Sequence, residues 1–186
     1  MRGAAVVALL AVFGLAAAAA PIQKIRNNLF VIRGTDSNTA VFVMRTGVVL
    51  VDTAIPADGQ AIADAVRLVS DNAVTMIIPT SMPPGATGSD RFFGASVAIV
   101  TRENGRSQAT FGRGREQIDV YWFGTGDGAN EAVVVFPGVR TMYIGNPRRL
   151  GRAIDRVIGE IGDVDTVIAG HGDVTTWTAF RESVRP

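Results

Sequence analysis

The residues able to do chemistry in this chain are few, and one count narrows them at once: 186 residues contain a single histidine and no cysteine. Disulfides, thiolate zinc sites, iron–sulfur clusters and any centre needing two imidazoles are therefore excluded. What remains is His171, held between Gly170 and Gly172, with the carboxylates, amides and hydroxyls that fall where apolar runs end. Asp52 closes VVLVD, Thr80-Ser81 follow VTMII and Pro79, Asp127 sits between two glycines, and Asn146 comes shortly after TMYI. A histidine between glycines, taken alone, reads as a loop residue hydrogen-bonded to neighbouring backbone. Asn146-Pro147 reads as a helix start, because asparagine is a favoured N-cap and proline fits the first helical position.

The charge balance excludes another class. Lys plus Arg number 18 against 17 Asp plus Glu, and loss of Arg2 with a leader brings the two to parity. This argues against a nucleic-acid partner, whose binding would rest on phosphate neutralisation. Arg102, Arg106, Arg113 and Arg115, with Arg148, Arg149, Arg152 and Arg156, form either a surface for an acidic partner or a solvated face; balanced charge favours the second. The 47% hydrophobic and 19% charged content is that of one ordinary globular domain.

Met1-Arg2 precedes an uninterrupted apolar or small run from Gly3 to Ala20, ending in alanines before Pro21. Residues 1–19 are expected to be a secretory signal peptide, with residues 20–186 the mature single domain in the periplasm or outside the cell. The rival is an N-terminal anchor, since the run just reaches spanning length. No later apolar run approaches that length, so no stable membrane insertion is expected once the leader is removed.

The elements that must position the chemistry follow from periodicity. Leu29–Arg33, Thr39–Met44 and Val48–Asp52 read as three hairpin-linked strands. Ile62, Ala65, Val66 and Val69 fall on one helical face from Asp58 onward, and Val74–Ile78 returns to a strand. Ser96–Val100 is a short strand, and Thr101–Glu116 reads as a polar loop with at most one helical turn. Ile118–Phe123, Ala132–Phe136 and Val139–Ile144 form a second strand group, with Pro137-Gly138 as a turn. Leu150, Ile154, Val157, Ile158 and Ile161 mark an amphipathic helix, Val164–Ala169 a buried strand and Thr175–Val184 a closing helix. Strand groups interrupted by single helices predict an α/β architecture, two mixed sheets packed face to face with helices outside, an αββα sandwich.

At this point the order of motifs becomes specific. NLFVIRGTDSNTAVFVMRTGVVLVDT, a helix, VTMIIPT, FGTGDGANEAVVVFPG, TMYIGN and DTVIAGHGDVTTW together resemble the metallo-β-lactamase superfamily over nearly all of residues 28–180. The resemblance implies an αββα sandwich whose active members hold one or two metals at the sheet edge and hydrolyse lactams, thioesters or phosphoesters. It also implies that this chain departs from the active pattern. Where members have T-H-x-H-x-D-H, this chain has Thr80-Ser81-Met82-Pro83-Pro84-Gly85-Ala86. Asp127 stands at a ligand histidine, Asn146 at the bridging aspartate, and His171 alone keeps a ligand identity; Asp52 keeps the V-D-T aspartate, which is not itself a ligand.

A catalytic zinc needs about three N, S or O ligands and an open position, so no cofactor is expected and the zinc site is expected to be lost. The leading expectation is a non-catalytic exported protein that binds a small molecule or a protein partner. The alternative is a divergent hydrolase built on a residual Ser81, His171 and Asp127 cluster, or on an oxygen-ligated metal at Asp127, Asn146 and Asp52. The leader generates the first prediction: N-terminal sequencing of the exported protein should find its start near Ala20, whereas an intact Met1 in the membrane fraction would establish the anchor.

Overall fold

The computed structural model describes residues 20–34, 37–53, 59–81, 89–123 and 131–184. The first sheet runs β1 (Ile22–Arg26), β2 (Leu29–Arg33), β3 (Asn38–Met44), β4 (Gly47–Val51), β5 (Val74–Ile78) and β6 (Ala98–Ile99), in chain order across the sheet. The second contains β7 (Gln108–Phe111), β8 (Ile118–Trp122), β9 (Ala132–Phe136), β10 (Thr141–Ile144), β11 (Thr166–Ala169) and β12 (Val174–Thr176), again in sequential order. Helix α1 (Gly59–Arg67) joins β4 to its parallel neighbour β5; α2 (Pro147–Leu150) and α3 (Ala153–Glu160) join β10 to its parallel neighbour β11; α4 (Trp177–Ser183) follows β12. The other pairings are antiparallel except β5–β6.

Each central strand divides its side chains between two apolar layers. Ala40 and Phe42 of β3, Val49 and Val51 of β4, and Val134 and Phe136 of β9 enter the core between the sheets. Their alternates Val41, Val48 and Leu50 pack under α1, while Val133 and Val135 meet Leu150, Ile154, Val157 and Phe180 of the second helical layer. Strands covered on both faces read as nearly continuous apolar runs, as VVLV and AVVVF do. The sandwich is therefore α, β, β, α, as the periodicity predicts.

Several boundaries differ from the sequence expectation, and the reasons are local. β7 emerges from the stretch read as a polar loop and β1 from residues given no element; both carry exposed polar side chains and lie at sheet edges, where one flank of the strand needs no apolar cover. The single helical turn expected in the same connection is the 3-10 turn Gly114–Glu116. The helix expected across Leu150–Ile161 is two helices, interrupted at Gly151, whose φ of 50° lies in the left-handed region that glycine enters without strain. Thr175 and Thr176 belong to β12, and the Thr176 hydroxyl accepts from Ala179 N at 3.2 Å to cap α4. Among the described residues no helix is long and apolar enough to cross a membrane; the expected leader lies outside them.

The inter-sheet core turns on Phe136, fully buried with its ring 4.8 Å from that of Phe42 on the opposite sheet. Urea unfolding should show Phe136→Ala losing about 3–5 kcal/mol. Leu68→Ala, at a side chain 67% exposed, should stay within about 0.5 kcal/mol.

Candidate functional site

The pairing brings the C-terminal ends of β4, β5, β10 and β11 to the same end of the sandwich as the N-terminal ends of β3 and β9. Asp52 follows β4, Thr80 and Ser81 follow β5, Asn146 follows β10, His171 follows β11, Asn38 opens β3 and Glu131 precedes β9. Residues scattered over more than a hundred positions thus meet at one edge. The two sheets are joined there by backbone: Asn38 N donates to Gly170 O at 2.7 Å and Ala132 N donates to Thr80 O at 2.7 Å.

Asp52 is the centre of this end. Its backbone sits at φ 52°, a left-handed conformation that aspartate and asparagine tolerate better than other side-chain-bearing residues. Its carboxylate accepts from Thr80 N at 2.7 Å and from the Thr80 hydroxyl at 2.6 Å, and lies 3.0 Å from the Tyr143 hydroxyl. Tyr143, fully buried, also donates to Asn38 O at 2.6 Å. The Asn38 side chain in turn donates to Ala169 O and Gly172 O at 2.7 and 2.8 Å. A tyrosine has one hydroxyl proton, so Asn38 O and the Asp52 carboxylate share a single donor in Tyr143. Burial pushes the Asp52 carboxyl above its ordinary range against the opposing bonds from Thr80 and Tyr143. Tyr143 is held neutral by its own burial and by Asp52 beside it.

Gly145 makes this packing possible: a Cβ there would overlap the Thr80 hydroxyl, and one at Gly170 would stand 2.6 Å from Gly145 O. Beside the cluster lies Glu131, 4% exposed, bonded to Arg149 Nε at 2.7 Å. Burial raises its carboxyl, and Arg149 opposes the rise.

The residues singled out in the sequence separate here. Asp52 faces inward, into the hydrogen-bonded cluster. Asn146 is the N-cap of α2, its side-chain oxygen accepting from Arg148 N at 3.0 Å, with Pro147 opening the helix as expected. Asn146 and His171 come together, both lining a cavity of about 670 Å³ with Arg148, Ile154 and Ser183; His171 is exposed. Ser81 is partly buried and makes no hydrogen bond to His171. Asp127 and the Pro83-Pro84-Gly85 stretch lie outside the described residues. Sequence reasoning gave no place here to Asn38, Tyr143 or Glu131, marked Thr80 only by its position after an apolar run, and read Arg149 as part of a solvated face. The available signal was Tyr143, since a tyrosine in an otherwise apolar strand needs a partner for its hydroxyl.

The cluster sets a signed pH dependence. Because the folded-state pKa of Asp52 is raised, the stability it contributes is complete below the ordinary aspartate range and is lost as pH rises through the folded value. Asp52→Asn keeps the backbone conformation and carries no titrating group. It should lie within about 1 kcal/mol of the parent at acidic pH, and unfolding measured across pH should show it gaining on the parent as pH rises. Asp52→Ala leaves the Thr80 donors unpaired in a left-handed backbone site and should cost about 3 kcal/mol.

No protein-family model and no curated protein matches the sequence. Solved structures do match. A metallo-beta-lactamase from Pontibacter korlensis superimposes with a TM-score of 0.73 at 18% identity, covering 89% of this chain and 97% of that one. The DIM-1 metallo-beta-lactamase gives 0.69 at 16% identity over 89% and 95% of the two chains. The stereoselective inverting sec-alkylsulfatase Pisa1 from Pseudomonas sp. gives 0.70 at 11% identity, covering 84% of this chain and 39% of that one. Two sequentially ordered six-stranded sheets, helices on both outer faces and agreement over nearly the whole chain identify this protein as having the metallo-β-lactamase fold.

Proposed function

We propose that this chain is an exported member of the metallo-β-lactamase superfamily that has lost the family's metal chemistry and acts by binding a small molecule or a protein partner at the joined end of the sheets. The observation that carries the reading is the donor set at that end. His171 is the chain's one imidazole, the Asn146 oxygen serves as the cap of α2, and the Asp52 carboxyl is occupied by Thr80 and Tyr143. Among the described residues no group of three or more His, Cys, Asp or Glu stands close enough to hold an ion. Such a set does not fit a catalytic zinc, which requires about three strong donors around an open position. The cavity shared by His171, Asn146 and Arg148 offers an imidazole, an amide and a guanidinium instead, a surface suited to holding a polar molecule by hydrogen bonds.

Metal analysis and turnover test this directly. Mature protein incubated with zinc and desalted should retain well under one equivalent, and should hydrolyse lactam, thioester and phosphodiester substrates no faster than buffer. Combining Ser81→His, Pro83→His, Gly85→Asp, Ala86→His, Asp127→His and Asn146→Asp should raise zinc retention. Stoichiometric zinc on the unsubstituted protein, with hydrolysis abolished by His171→Ala, would overturn the proposal.

A further inference from the structure

Between the edge strands β6 and β7 opens a cavity of about 320 Å³ that shares no lining residue with the one at His171. Its apolar wall is made by Met76, Val100, Ala109, Phe111 and Trp122, all of which belong to or pack against the inter-sheet core. An apolar group entering here would extend that core and leave water. Ligand pockets begin at about 300 Å³, so the group that fits is small.

The mouth carries one charge of each sign. Glu103 and Arg106 both line the cavity, both are exposed, and neither side chain makes a hydrogen bond or ion pair among the described residues. No other charged residue among those described lines it. The two belong to one turn, closed by Arg106 N donating to Glu103 O at 2.9 Å. The Arg102 guanidinium ties the same turn by donating to Arg106 O and Gly105 O at 2.8 and 3.2 Å. The backbone beneath the pair is therefore held, while the carboxylate and the guanidinium remain available to a third party.

An apolar wall beside one anion and one cation selects a ligand with three matching parts. We propose that this cavity is a binding site for a free α-amino acid with an apolar side chain, that side chain against Trp122 and Phe111, its ammonium group on Glu103 and its carboxylate on Arg106. A simple carboxylate would gain Arg106 but face Glu103, and a simple amine would gain Glu103 but face Arg106. A neutral apolar molecule would gain the wall alone. Only a zwitterion turned in this sense is attracted by both charges. The site does not depend on the function proposed for the joined end.

The test uses leucine as the probe and tryptophan emission as the readout. The chain has two tryptophans, and Trp177 lies on α4, stacked on Phe180 in the other apolar layer, so Trp177→Phe leaves Trp122 as the only reporter. In that background leucine should change the emission saturably at neutral pH. It should bind about fivefold more tightly than 4-methylpentanoate, which lacks the amine, and than 3-methylbutylamine, which lacks the carboxylate; that is the upper end of what one exposed ion pair contributes. Glu103→Gln should erase the preference over the acid and Arg106→Gln the preference over the amine, both at exposed positions where the fold is indifferent to the change. No saturable change in emission, equal binding of leucine and both analogues, or preferences untouched in both substituted proteins would each overturn the proposal. So would an emission that shifts with protein concentration alone, as a second copy of the chain closes over the mouth.

Discussion

The hydrogen-bonded group formed by Asp52, Thr80, Tyr143 and Asn38 is the constraint from which the rest of this structure can be understood. Two sheets that meet only through apolar side chains can slide or splay, because dispersion and hydrophobic contact are weakly directional. Here one end is fixed by directional bonds. Thr80 comes from the first sheet and receives Ala132 N of the second; Tyr143 comes from the second and donates to Asn38 of the first. Asn38, Thr80 and Tyr143 are enclosed and Asp52 half-buried, so a missing partner would leave a desolvated donor or acceptor, and the cost of that omission is what makes the register unique. The glycines at 145 and 170 belong to the same constraint, since a side chain at either would occupy the space these bonds require.

The chemistry of the end follows from the same bonds. A carboxylate that already accepts from Thr80 N, the Thr80 hydroxyl and Tyr143 has little capacity left for an external cation. Asn146 is committed to its helix in a comparable way. Of the polar side chains described at this end, Asp52 turns into the fold and Asn146 caps its helix, while His171 is exposed. The αββα sandwich rests on apolar layers and on this internal hydrogen-bond group.

Charge has been distributed by a parallel logic at the other end of the sheets. Arg140, in a left-handed backbone conformation at φ 49°, pairs with Asp163 and Asp165, and Asp165 also meets Arg26 at 3.2 Å. The bonds from Arg140 and Arg26 hold the Asp165 carboxyl down at about 2. This exposed set fastens β1 to the approach to β11, whereas Arg149 neutralises the buried Glu131 beside the Asp52 cluster. Arginines placed against carboxylates thus secure the fold at both ends.

The apolar runs settle the architecture before any coordinate is known. VVLV, AVVVF and TMYI must be covered on both faces, the i, i+3, i+4 spacing at Ile62, Ala65 and Val66 must lie on a sheet, and Asn146-Pro147 must open a helix. The single histidine and absent cysteine likewise decide from composition what metal chemistry is out of reach. The edge strands β1 and β7 were not legible, since a strand paired on one side and polar on its surface has no periodic apolar signature. Nor was the Asp52 cluster. Asn38, Asp52, Thr80 and Tyr143 are separated by up to 105 positions, and nothing local to any of them specifies the others. Only the stacking of one sheet on the other puts a tyrosine hydroxyl, a carboxyl and a threonine within hydrogen-bond reach, and only that enclosure raises the Asp52 pKa, because desolvation belongs to the assembled fold and not to the residue.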